Sequence, residues 1–400
     1  MIKNVVGWLR SHLSYVLYTS IGLLILFSIY LFRLGSHVRG DNPYESILFL
    51  EINGLKDIAE NISYGPIKLA ELVAIRIDEP NVTLTRMISV LLVVAAVILI
   101  IRLTTKWHTL RIGLLTGFLF AVSTYSLQLA RFTNHDALFY VAIPFLLLAG
   151  TWLKSKRHVS RIVFVMPVVA ILLYLPGMIL FLLPLAIIFR KRLLLAWRYV
   201  SKKSKIIGSI SAGLILLPLL VSLIMYPSQI TKYLGIDRLI AGNFKAIYDA
   251  LIQIPDALFL NGPDQPFRWL VGTPILDVAS IILLLLGIYA YIKGPHTLRA
   301  RLLLYCLIAA VVLISIGSMV SISLLVPLVY VVIASGLAFL LKSWFTVFPR
   351  NPAARNTALA VIIIFVGLIA SYHLQRYFIA WPNAPETRNA LSAQSTEVIQ

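Results

Sequence analysis

The sequence predicts an all-α polytopic membrane protein with about eleven transmembrane helices, and three observations carry that reading. Of its 400 residues, 60% are hydrophobic and only 13% are charged, with a mean hydropathy of +0.90, whereas about a quarter of the residues in a soluble domain are charged. Apolar runs near the length that crosses about 30 Å of hydrocarbon recur along the whole chain. The basic residues fall in short clusters between these runs, while the acids are confined to alternate connections. A net charge of +19 on one soluble face would suggest nucleic acid. In clusters it follows the positive-inside pattern instead, so no nucleic-acid partner is expected.

In chain order, the runs lie at about 14–34, 84–103, 111–129, 137–153, 161–175, 177–189, 206–225, 274–292, 301–317, 320–341 and 356–373. Lys3 and Arg10 precede the first run, which is too long for a cleaved signal core and lacks a small-residue cleavage site. It reads as an uncleaved signal anchor with its N-terminus inside. The fifth and sixth runs are short and separated by Tyr174-Leu175-Pro176-Gly177, where Pro and Gly break a helix; two short helices with a tight outer turn are expected.

With the N-terminus inside, the inner segments hold most of the 35 Lys and Arg residues and none of the 16 acids. Lys154, Lys156 and Arg157, then Arg190, Lys191 and Arg192, then Lys202, Lys203 and Lys205, are examples. The expected location is the plasma membrane, with a cytoplasmic N-terminus and an extracytoplasmic C-terminus. Any chemistry that needs a carboxylate then belongs to the outer face.

The expected organisation is one membrane domain, residues 1–373, and a short outer tail, 374–400, with outer loops at about 35–83, 129–136 and 226–273. In the first loop, Tyr44 to Leu55 and Ile67 to Ile77 read as juxtamembrane amphipathic helices roofing a cavity. The third of these loops holds Pro227, Pro255, Pro263 and Pro266 and reads as irregular. Cys306 is the one cysteine, which excludes a disulfide framework and a thiolate metal site.

Two outer stretches carry chemistry. Arg39-Gly40-Asp41-Asn42-Pro43-Tyr44-Glu45-Ser46 follows the first run. Asn42, Pro43 and Glu45 fit a helix start, but that start does not require Asp41, and an acid at a membrane lip tends to mark a reaction site or ion path. Ala130-Arg131-Phe132-Thr133-Asn134-His135-Asp136 precedes the fourth run. It places Arg131, His135 and Asp136 at the same face, although Asn134 or Asp136 could also cap the next helix and Arg131 could snorkel from the end of the third.

These features together resemble the GT-C superfamily of polyprenyl-phosphate-sugar glycosyltransferases, especially the protein O-mannosyltransferase and aminoarabinose-transferase-like branch. The carriers are the acid after the first span, the Arg131-Phe132 to Asp136 segment and the broken short helix pair. Asn261-Gly262-Pro263-Asp264 through Gly272-Thr273-Pro274-Ile275-Leu276-Asp277, and Arg376-Tyr377-Phe378-Ile379-Ala380-Trp381 near the end, resemble it too. The resemblance implies Asp41 as catalytic base and Asp136 as an acid that positions substrate or a metal. Where the family often has Asp-Glu, this chain has Asp41-Asn42.

Transfer of a sugar from a lipid phosphate needs a base for the acceptor proton and cations for the departing phosphate. Arg39, Tyr44, Arg131, His135, Arg238, Arg268 and Arg376 form the pool of substrate contacts, and Arg131 and Arg268, each beside an aromatic residue, are the first choices for the phosphate. The expected partners are a polyprenyl-phosphate-linked sugar donor, a protein, lipid or glycan acceptor, and the bilayer. Asp136 and His135 are the candidate ligands if a divalent cation, Mg or Mn, takes part. No Walker-type motif occurs. The alternatives are a transporter or flippase for a lipid-linked sugar or anion, and a structural membrane protein.

Overall fold

The computed structural model describes residues 13–35, 45, 52, 54–77, 82–152, 162–294 and 297–397. All regular structure among them is helical. Five helical stretches are long and apolar enough to cross a membrane: Thr83–Trp107, Lys202–Met225, Leu298–Ile316, Ile322–Val347 and Pro352–Asn383. A bent pair, Leu110–Val122 and Thr124–Arg131, makes a sixth if taken as one span. Five shorter apolar helices accompany them.

The first part of the chain forms α1 (Leu13–Leu31), α2 (Leu55–Glu60), α3 (Gly65–Ile77), α4 (Thr83–Trp107), α5 (Leu110–Val122), α6 (Thr124–Arg131) and α7 (Ala137–Trp152). The expected continuous third span is therefore two helices, bent by 61°. Ser123 causes the break: its backbone is extended at φ −57°, ψ 139°, and its side chain accepts from the Ser126 amide to start α6. The bend turns α6 across the end of the bundle, where α4 packs against α5, α6 and α7.

The middle comprises α8 (Ile162–Leu172), α9 (Met178–Ile188), α10 (Arg190–Tyr199), α11 (Lys202–Met225), α12 (Ile230–Leu234), α13 (Asp237–Ile240) and α14 (Phe244–Phe259). The break between α8 and α9 falls at Tyr174–Gly177 as expected, with Gly177 at φ 73° and its amide donating to the Tyr233 carbonyl (2.9 Å). The expectation of an irregular loop at 226–273 is corrected by α14. Asn243 caps it by accepting from the Ala246 amide (3.0 Å), and Pro255 is carried inside the helix. An inner face of Ala250, Ile254, Ala257 and Leu258 holds it to the bundle against the loss of one hydrogen bond at Pro255.

Then come α15 (Val278–Lys293), α16 (Leu298–Ile316), α17 (Val326–Val347), α18 (Pro352–Gln375) and, after a π turn at Arg376–Ala380, α19 (Pro385–Glu397). The stretch ending in α17 is the axis of the bundle: 83% of its apolar window is buried, against 17% for α11. α17 packs most closely on α15, and a side chain at Gly336 would collide with the Leu283 carbonyl, one at Gly287 with the Val332 carbonyl. Close backbone approach of this kind replaces the hydrophobic drive that lipid tails do not supply.

Candidate functional site

The residues 132–136 are fixed to α4 from both sides. The Thr133 amide donates to Glu45 Oε1 (2.7 Å), the Thr133 hydroxyl to Thr85 Oγ1 (2.9 Å) and the Asn134 amide to Ser89 Oγ (3.0 Å). Glu45 is itself held by Arg86, whose Nε and Nη2 reach its two carboxylate oxygens at 2.9 and 2.6 Å. Asn134 Oδ1 accepts from the Asp136 amide (3.0 Å). Asn134 thus makes the turn into α7 and leaves the Asp136 carboxylate for other work.

That carboxylate lines a cavity of about 150 Å³ together with Tyr125, Gln128, Gln265, Arg268, Trp269 and Ser321. The Tyr64 hydroxyl donates to Asp136 Oδ1 (3.3 Å) or to the Met319 carbonyl (3.1 Å). Tyr64 holds φ at 61°, which side-chain-bearing residues rarely adopt. Its ring stacks on His135 and meets Phe139 edge-on. Both polar atoms of Gln128 are buried without a hydrogen-bond partner, at a cost of about 1–3 kcal/mol for each group left unmade.

Arg268 lines this cavity in a segment that is braced on both sides of it. Trp381 Nε1 donates to the Pro266 carbonyl (3.1 Å), and Trp269 Nε1 to the Thr273 carbonyl (2.7 Å). Arg376 lies over the Trp269 ring at 4.6 Å and donates to the Pro274 and Thr273 carbonyls (2.7 and 3.1 Å) and to the Thr273 hydroxyl. Its task is to hold the 261–277 block, not to face the cavity.

Two further arginines differ from the expectation of substrate contact. Arg131, 2% exposed, donates to the carbonyls of Ile29 (3.1 Å), Tyr30 (2.8 Å), Phe32 (2.6 Å) and Arg33 (3.5 Å) and to the Tyr377 hydroxyl (3.1 Å). It clamps the carbonyl end of α1, where the helix dipole favours a cation. Arg238 does the same for α16, at the carbonyls of Ile314 and Ser315 (3.1 and 3.2 Å). A guanidinium on carbonyl oxygens is chemically the same preference as one on phosphate, which is why these positions resemble phosphate contacts in the sequence.

His135 and Asp136 do not converge on one ligand. His135 Nε2 is 2.6 Å from Glu71 Oε2 in a buried pair, whereas Asp136 faces the cavity. Among the described residues, no group of three His, Cys, Asp or Glu side chains is placed to hold a metal ion. Asp41, Arg39 and Tyr44 lie outside the described residues.

Several participants are not evident from the sequence. Glu71 and Lys68 are buried on the inner face of α3, while Leu69, Val73 and Ile77 are exposed. Ile67, Leu72 and Ala74 are buried beside them, so two charged residues share the inner face with apolar ones, against the pattern expected of a soluble surface helix. Gln128 and Tyr125 carry no motif, yet their spacing of three places them on one face of α6. Behind the cavity, Asp277 caps α15 through the Ser280 amide (2.9 Å) and meets His373 Nε2 at 3.0 Å. The Thr124 amide donates to His373 Nδ1 (3.3 Å), which puts the ring proton on Nε2, toward Asp277. No family model matches the chain, and no curated protein sequence matches it.

Proposed function

We propose that the protein is a GT-C-like glycosyltransferase that moves a sugar from a polyprenyl-phosphate donor to an acceptor on the extracytoplasmic face, with inversion. One observation supports this above the rest. A carboxylate, Asp136, a guanidinium, Arg268, and an unpartnered carboxamide, Gln128, line one cavity at the end of the bundle that holds Glu45 and Glu71. Such a set suits a sugar hydroxyl array beside a phosphate.

In this reading the five shorter apolar helices cross the bilayer too, which gives eleven passes with the N-terminus inside. Asp41 is the general base. Four residues of chain extend no farther than about 14 Å, so Asp41 is tethered to Glu45, which itself bonds the turn before Asp136. The acceptor hydroxyl gives its proton to Asp41 as its oxygen attacks the anomeric carbon. The anomeric carbon–oxygen bond to phosphate breaks, and the electron pair leaves on the polyprenyl phosphate. Arg268 stabilises that phosphate, and Asp136 and Gln128 orient the sugar. Charge stabilisation in a site shielded from water is commonly the largest catalytic contribution.

The test is incubation of the purified protein with a panel of polyprenyl-phosphate sugars and acceptors, with release of polyprenyl phosphate as the readout. Release that is lost in Arg268→Ala supports the reading. Donor binding without release, across the panel, would favour transport. The buried Asp277–His373 pair is the observation on that side, because buried ionisable pairs in membrane proteins often mark ion paths.

A further inference from the structure

A second cavity, of about 370 Å³, opens at the other end of the bundle between α4, α7, α9, α10 and α16. Its walls are apolar, with Phe181, Leu302 and Cys306 among them, and Lys106, Arg192 and Arg299 are its charged lining residues. Among the described residues, no carboxylate lines it. Lys106 is 21 residues beyond Thr85, the α4 residue bonded to Thr133, and at 1.5 Å per residue this is about 32 Å along the helix. The two cavities therefore sit a bilayer thickness apart and cannot share one small ligand.

We infer that this cavity is a binding site for an anionic phospholipid of the leaflet opposite the candidate active site, with an acyl chain between α7 and α16 and the phosphate at the three cations. The size falls within the range of small-molecule sites. All three cations are exposed, as headgroup contacts at a mouth must be. Arg299 is oriented by its bond to the Trp107 carbonyl (2.7 Å) and lies over the Trp107 ring at 5.6 Å. Arg192 lies over Phe189 at 5.7 Å. His108 adds no charge: burial and then Arg299 lower its imidazole to about 4, so among the described residues the preference for an anion rests on three side chains. An apolar chain gains nothing by leaving lipid for an apolar wall, and the selectivity is therefore electrostatic. At about fivefold per cation near a membrane surface, three cations favour an anionic over a zwitterionic headgroup by about 100-fold.

The experiment measures retention of phosphatidylglycerol and phosphatidylcholine by the detergent-purified full chain, using native mass spectrometry and the thermal unfolding midpoint. Preferential retention of phosphatidylglycerol, with a midpoint raised by it alone, is expected. Arg192→Ala should lower the preference by about fivefold. Gly150→Leu should abolish retention by filling the cavity, because Gly150 lines it and a side chain begun there meets nothing within 4 Å. Equal retention of the two lipids, or an unchanged preference in both variants, would overturn the inference. So would equal stabilisation by inorganic phosphate, which would assign the cations to a free anion.

Discussion

Replacing Arg131 separates two tasks that a guanidinium at a membrane lip can perform. In Arg131→Ala, the carbonyls of Ile29, Tyr30 and Phe32 lose donors at 2.6–3.1 Å, and the Tyr377 hydroxyl loses one at 3.1 Å. The 3.5 Å bond to the Arg33 carbonyl is the longest and adds little beside these. The ring contacts with Tyr377 and Phe378, at 5.4 and 5.0 Å, go as well. Four charge-assisted bonds are not additive, since the α1 end will relax, and removing one buried charged partner costs about 3–5 kcal/mol. Arg131→Lys keeps the charge but has no fork to reach four acceptors, so a loss of about 2 kcal/mol is expected. Reversible unfolding in mixed detergent, with wild type and both variants at one protein concentration, measures these differences. A stable Arg131→Ala protein with impaired donor binding would refute the clamp and return Arg131 to the phosphate.

Asp41→Asn removes a proton acceptor with little change of shape and should lower sugar transfer by about 100-fold or more while donor binding persists; a wild-type rate would defeat the base assignment. Asp136→Asn should weaken substrate affinity more than it lowers maximal turnover, as steady-state kinetics on the folded variant would show. Arg268→Lys should reduce donor use because lysine cannot make a bidentate phosphate contact, and unchanged kinetics would remove Arg268 from the site. Gly336→Leu should destabilise the α15–α17 crossing by about 1–3 kcal/mol or more through overpacking against the Leu283 backbone, read as a lowered unfolding midpoint. With an introduced cysteine at Lys156, an impermeant thiol reagent should leave intact cells unlabelled, and labelling would invert the proposed topology.

The helical membrane character is legible because composition and run length report it directly, and the α8–α9 break because Pro176 and Gly177 together punctuate what could otherwise be one long helix. The bend at Ser123 is not, since Ser and Thr are tolerated within helices and only their side-chain bonds decide whether the backbone turns. At the site, Asp136 stands out from its place just before α7 and Arg268 from its place beside Trp269, and they line one cavity. Glu71 escapes notice because an interfacial helix is expected to bury its apolar stripe, whereas α3 exposes Leu69, Val73 and Ile77 and turns its carboxylate to His135. Arg131, Arg238 and Arg376 are expected in the sequence to hold a ligand's phosphate, whereas in the structure they donate to backbone carbonyls and to the Tyr377 and Thr273 hydroxyls. Nothing local in a sequence distinguishes a carbonyl 101 residues away from a ligand's phosphate.

That separation bears on how the protein is made. Ribosomes add about 5–20 residues per second, so the carbonyls of α1 wait roughly 5–20 s for a partner that lies 101 residues downstream of Tyr30. The carbonyl end of α1 therefore stays without this partner until α6 emerges. Arg238 runs the opposite way, since it is synthesised 76 residues before Ile314 and stands ready when α16 arrives. Of the two clamps, the one on α1 is thus closed late in synthesis and the one on α16 as soon as that helix is made.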